Sequence, residues 1–111
     1  MQNDYKVLAE LALYYVSRNE YSNSYLAFTK YFALGKRGTN TIDNPYQKYI
    51  ALMYYNFGVV CNQLGKKEEA LEVLEKALVN VDFTFMYAEN MNGAILLTNI
   101  VKLKKDIKET L

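Results

Sequence analysis

The sequence predicts an all-α fold, and three observations predict it. One proline and five glycines in 111 residues leave long stretches free of helix breakers. Apolar residues recur at spacings of three and four along most of the chain, and no segment alternates strictly for long enough to argue a strand. The helices also come in pairs separated by single turn residues, as in a chain of antiparallel helix hairpins.

The first pair lies within residues 4–36. Leu8, Leu11, Ala12 and Tyr15 form an apolar helix face, Asn19 takes the turn, and Tyr21, Ser24, Phe28 and Tyr31 supply the returning helix. A polar connection follows, GKRGTNTIDNPYQ over residues 35–47, with two glycines and the one proline. Residues 37–44 read as loop, a place where scaffolds often carry contact residues. Asp43 or Asn44 can cap a third helix whose first turn accepts Pro45. Tyr46, Ile50, Met53 and Phe57 continue its apolar stripe towards Leu64.

The second pair, residues 45–81, carries the strongest pattern. Tyr54, Phe57, Gly58 and Cys61 share one helix face, Gly65 stops the helix, and Ala70, Leu74, Ala77 and Leu78 share a face of the next. Gly58 and Ala70 are small enough to let two backbones approach, with Phe57, Leu71 and Leu74 filling the space alongside. Such a hairpin cannot bury both its faces, so it predicts stacked neighbours of the same kind. The two pairs align with Ala12 on Gly58, Tyr15 on Cys61, Ser24 on Ala70 and Phe28 on Leu74, a displacement of 46 residues.

Asp82 can cap a further segment, residues 84–109. Ile95, Leu96, Ile100, Leu103 and Ile107 form an apolar stripe that fits one helix from Thr84 to Lys108, or two divided by a bend near Thr98 and Asn99. Two readings stand: a capping helix that closes the stack, or a dimerisation helix with Asn99 inside a short heptad seam.

Composition narrows the function classes. Thirteen basic and twelve acidic residues leave a formal net charge of +1, with no global field to draw in nucleic acid or an anionic membrane. A single cysteine excludes an internal disulfide, and the absence of histidine removes the commonest general base and metal ligand. No apolar run reaches the roughly 18 residues of a membrane span, and the N-terminus lacks a signal-peptide pattern, so a cytoplasmic location is expected. Cys61 falls on a core face and reads as a small buried residue. Glu68, Glu69 and Glu72 read as a solvated helix start with a Glu72–Lys76 pair one turn apart, not as a carboxylate dyad. Gly35 and Gly38 lack the ending of a phosphate loop. Lys102, Lys104, Lys105 and Lys108 form a basic cluster on the last helix, diluted by Asp106 and Glu109. No enzyme, cofactor or metal site is expected.

The pattern Tyr54, Phe57, Gly58, Cys61, Gly65, Ala70, Leu74, Ala77 resembles the tetratricopeptide repeat, a helix hairpin with a period of about 34 residues. Cys61 and Leu74 replace aromatics of the family pattern, Lys67 replaces a tyrosine, and Asp82 stands where a proline often ends the unit. Residues 4–34 carry the aromatic choices at Tyr15, Tyr21 and Phe28. The resemblance implies a right-handed superhelix of about two and a half repeats in one domain, whose concave groove binds a peptide or partner segment. Carried over slot by slot, that groove is lined by Lys6, Ala9, Glu10 and Leu13, then Leu52, Tyr55, Asn56, Val59, Asn62 and Gln63, then Met86, Glu89, Asn90 and Gly93. Asn56 and Asn90 fall one period apart. Their amides could serve a peptide backbone, or could simply be exposed polar residues. Ala9, Leu13 and Leu52 occupy slots where some members hold a carboxylate clamp, which disfavours that ligand.

The chain also resembles the C-terminal repeat regions of peptide-pheromone-sensing transcription regulators of Gram-positive bacteria, in the runs LALYYVSRNEYSNSYLAFTKYF and YYNFGVVCNQLGKKEEALEVLEKAL. That likeness implies a peptide sensor that dimerises, with DNA contacts made by a separate segment. Two function classes follow: a peptide-binding interaction module, or a scaffold acting as a homodimer through its last helix.

Overall fold

The structure, a computed structural model, describes residues 5–36 and 47–111. Among the described residues there are six α-helices, a short 3-10 turn and no strand. The helices are α1 (Tyr5–Ser17), α2 (Tyr21–Lys36), α3 (Ile50–Gln63), α4 (Lys67–Val79), α5 (Phe83–Ala88) and α6 (Gly93–Lys108). The chain divides into two compact units, Met1–Tyr49 with α1 and α2, and Ile50–Leu111 with α3 to α6.

Three helices end in one way. After α1, α3 and α5 a single residue takes a left-handed backbone conformation: Asn19 at φ 58°, Gly65 at φ 77° and Asn90 at φ 57°. In each case the next N–H reaches back to the carbonyl five positions earlier: Glu20 to Tyr15 at 2.8 Å, Lys66 to Cys61 at 2.8 Å and Met91 to Met86 at 2.7 Å. The left-handed residue donates to the carbonyl three positions earlier, at 3.0 to 3.1 Å. This double closure satisfies carbonyls that a helix end leaves bare and turns the chain back. Glycine and asparagine tolerate the conformation best, which is why these residues stand there.

In the first unit α1 buries Tyr5, Leu8, Ala9 and Ala12. Leu11, expected on that face, is turned to solvent at 37% exposure, and Tyr15 is half-buried, because Tyr5, Leu8, Ala9 and Ala12 already form a complete stripe at three-four spacing. From α2, Ser24, Ala27, Phe28 and Tyr31 are buried, and the Tyr5 and Tyr31 rings meet edge to face at 5.6 Å. Buried Ser24 needs a partner and has one: its hydroxyl donates to the Ala12 carbonyl at 2.9 Å, tying α2 to α1.

In the second unit α3 and α4 form the equivalent hairpin. The buried positions Ala12, Ser24, Ala27 and Phe28 recur, 46 residues on, as buried Gly58, Ala70, Val73 and Leu74. A Cβ at Gly58 would lie 2.5 Å from Leu74 Cδ2, so Leu74 occupies the space a side chain there would need. The regular helix of α3 begins at Ile50, after a 3-10 turn over Gln47–Tyr49; the expected caps Asp43 and Asn44 and the expected first turn at Pro45 lie outside the described residues. Helix α6 packs on α4 and α3 with Leu96, Ile100 and Ile107 buried, and Lys104 pairs with Glu75 across α4 and α6. That contact, a hydrogen bond first and an attraction of charges second, holds the Glu75 carboxyl below its usual range. Its contribution is therefore present above about pH 4.5 and fades as acid protonates the carboxylate.

The C-terminal segment corrects both expected forms. It is neither one helix from Thr84 nor a pair divided at Thr98 and Asn99, which lie inside unbroken α6. The break falls at residues 89–92. Asp82 starts α5 by accepting from the Phe85 N–H at 2.9 Å, Asn90 ends it, and Asn92 starts α6 by accepting from the Ile95 N–H at 3.0 Å. The stripe expected to form a dimer seam is largely spent inside the chain: Leu96, Ile100 and Ile107 are buried, and only Ile95 is well exposed.

The Gly58–Leu74 contact sets a measurable energy. Gly58→Ala gains up to about 1 kcal/mol of helix propensity but overpacks the hairpin by about 1–3 kcal/mol. Urea denaturation should show a net loss of up to about 2 kcal/mol, and Gly58→Ala in a Leu74→Ala background should be neutral or stabilising. A stabilised Gly58→Ala single variant would contradict the packing described.

Candidate functional site

The tight turn at Asn90 decides what the second unit presents. It folds α5 back against the start of α6, and Phe83 crosses so near Gly93 that a Cβ there would lie 2.7 Å from the ring. Gly93 is buried beneath this crossing. On the open side lies a shallow groove of about 990 Å³, lined chiefly by Phe83, Thr84, Tyr87, Asn90, Met91 and Ala94. Phe83 is 50% exposed and Tyr87 86%, the most exposed large apolar residue among the described residues. Large aromatic faces beside backbone and amide groups suit a partner that brings apolar side chains and a few hydrogen-bonding groups.

The residues expected to line a groove divide on inspection. On α3, Tyr55, Asn56, Val59 and Asn62 are half-buried and share one side with Leu52, while Gln63 at the helix end is exposed. Asn56 spends an amide proton within α3, donating to the Leu52 carbonyl at 2.9 Å. Met86 is a core residue, 6% exposed and packed towards Gly93, so it does not line a surface. Glu89 caps the end of α5 and is exposed. Asn90 does line the α5–α6 groove, but its backbone place is that of Gly65, 25 residues earlier, not that of Asn56. The one-period pairing of Asn56 with Asn90 is therefore corrected: α5 has 6 residues where α1 has 13 and α3 has 14, so the turn comes earlier and Asn90 falls in it. Lys6, Glu10 and Leu13 lie on α1 in the first unit, Lys6 and Glu10 exposed and Leu13 half-buried; neighbouring Ala9 is fully buried.

Sequence reasoning passed over Phe83, Tyr87 and Met91. The signals that mark them are the cap at Asp82, the aromatics one turn apart, and the turn-forming run Asn90, Met91, Asn92, Gly93.

Cys61 is fully buried, and burial, with a smaller push from Glu69, raises its thiol to about 12. Burial also raises the Tyr54 phenol. Glu72 and Lys76 form the expected exposed pair at 3.9 Å. Among the described residues no group of three or more potential ligands could hold a metal ion, and no helix is long and apolar enough to cross a membrane. Compared with known proteins, the chain matches no family model, no curated protein and no solved structure.

The thiol gives a direct check. Folded protein at pH 8 should resist a thiol reagent such as DTNB and react fully in denaturant. Because the unfolded thiol ionises near 9 and the folded one near 12, the stability from this group is complete below pH 9 and is lost as the pH rises towards 12. Rapid labelling of the native protein would place Cys61 at the surface.

Proposed function

We propose that this chain is a non-catalytic protein-interaction module of tetratricopeptide type, which receives a short apolar peptide or partner segment in the α5–α6 groove. The observation that carries the reading is the exposure of Phe83 and Tyr87 along a groove whose floor is fixed by the Asn90 turn and the Phe83–Gly93 crossing. Exposed aromatics at the centre of a concave surface are where binding energy concentrates, since they bury much area with little loss of side-chain freedom. The tetratricopeptide part of the reading is supported by two hairpins with matching stops and matching buried positions 46 residues apart. The half-buried side of α3, with Tyr55, Val59 and Asn62, is the second surface of the module. A peptide-sensing part of a transcription regulator is the finer form of this reading, supported by the sequence resemblance alone.

Selection of random dodecapeptides displayed on phage against the immobilised chain tests it. Enriched peptides should carry two or more large apolar residues and bind with micromolar dissociation constants, about 8 kcal/mol in free energy. Tyr87→Ser should weaken them about tenfold or more, or about 1.4 kcal/mol, without changing the circular dichroism of the chain. No enrichment, or peptides indifferent to Tyr87→Ser, would remove the groove as the site, and a loss confined to Asn62→Ala would transfer it to α3.

A further inference from the structure

Arg18 shows how this chain seats an exposed cation: its guanidinium lies over the Tyr14 ring, 5.8 Å from the centroid, and its Nε donates to the Glu20 carboxylate at 3.3 Å. A tyrosine face and a carboxylate thus share one guanidinium, the ring through its electron-rich face and the carboxylate through its charge. Tyr87 and Glu89 offer the same two groups at the α5–α6 groove, without the cation. Both are exposed; Tyr87 lines the groove, and Glu89 stands in the chain between Ala88 and Asn90, which also line it. Adjacent residues lie about 3.8 Å apart, so the Glu89 carboxylate acts on the groove from within the roughly 10 Å over which salt leaves charges effective. Asp82, next to Phe83 at the other end of α5, adds a second carboxylate. Among the described residues neither carboxylate is in an ion pair, and no cation stands over Phe83 or Tyr87. Residues 77–101 hold no lysine or arginine, in a chain whose formal net charge is +1. The opposing charge is the start of α6, worth about half a unit and partly met by the Asn92 side chain at the Ile95 N–H.

We infer that the segment received in this groove is a basic one, with an arginine that lies over Tyr87 beside Glu89 while its apolar side chains rest on Phe83 and Met91. The inference rests on the peptide groove proposed above and names the class of peptide it takes. Charge complementarity selects the occupant. An acidic segment would bring its carboxylates towards Asp82 and Glu89, and an uncharged one would leave both without a partner. Arginine fits better than lysine, because its planar, weakly hydrated guanidinium stacks on a ring and donates to a carboxylate at once, as Arg18 does. Contacts of this kind at an open surface are modest singly and are screened by salt, so they select among apolar peptides rather than bind alone.

Random dodecapeptides enriched on the immobilised chain should carry arginine among their apolar residues. Synthetic versions, capped at both ends and followed by fluorescence anisotropy, should bind about three- to tenfold more weakly when citrulline, the uncharged isostere, replaces arginine. Glu89→Gln, with unchanged circular dichroism, should cause a similar loss for the arginine peptide and none for the citrulline peptide. Raising the salt from about 50 mM to about 500 mM should weaken the arginine peptide and spare the other. Enriched peptides that lack basic residues, and that are lost on Tyr87→Ser but indifferent to Glu89→Gln, would overturn the inference and leave the groove standing. Acidic peptides would overturn it as well and move the charged contact to the start of α6. Failure of any peptide to enrich would overturn the groove and this inference together.

Discussion

Three residues held at positive φ, Asn19, Gly65 and Asn90, set where the helices stop and therefore which side chains can meet. Each stop reverses the chain within three or four residues and satisfies carbonyls of the helix it ends. The first two create hairpins close enough that Ser24 can reach the Ala12 carbonyl and Leu74 can fill the space above Gly58. The third comes after only six helical residues, and a helix that short turns Met86 and part of Phe85 inward and leaves its other two aromatics exposed. Phe83 and Tyr87 are left facing solvent beside the start of α6, so one backbone conformation links the early end of α5 to an exposed aromatic surface.

The hairpin cores and the last helix divide the work of stabilising the second unit. The α3–α4 pair buries Phe57, Cys61, Ala70, Leu74 and Ala77, and α6 covers it with Leu96, Ile100 and Ile107. Polar contacts at the edges are auxiliary: Lys104 pairs with Glu75, and the Lys67 ammonium donates to the Thr110 hydroxyl at 2.8 Å. Contacts at the rim are screened by solvent and add little, so apolar burial carries the unit. Once α6 spends its most apolar side inward, what it offers outward is a stripe of small residues ending in lysines.

Much of the helical plan was legible in residue spacing. The Gly65 stop, the Asn19 turn, the pairing of Gly58 with the face of Leu74, and burial of Cys61 and Ser24 all follow from three-four periodicity plus a small residue at a crossing. What the spacing hid has physical causes. Leu11 is as apolar as Leu8, and only the packing of Ala9 and Ala12 against α2 decides which way α1 rotates. Extending a fixed period past Asp82 put Asn90 on a helix face, whereas Asp82, Asn90 and Asn92 are three local signals for a cap, a stop and a cap. The candidate site was less legible than the fold for the same reason: Asn90 and Glu89 were placed by register, Met86 proved to be core, and the aromatics that line the groove owe their exposure to a helix too short for the pattern that predicted it.

The central claim is that the chain turns at Asn90, since the α5–α6 groove depends on it. Backbone NMR assignment with amide–Hα couplings across residues 83–108 tests this most directly. The account predicts helical shifts over Phe83–Ala88 and Gly93–Lys108, a clear interruption at residues 89–92, and a coupling diagnostic of positive φ at Asn90. Unbroken helical shifts from Thr84 to Lys108 would contradict it, and with it the groove.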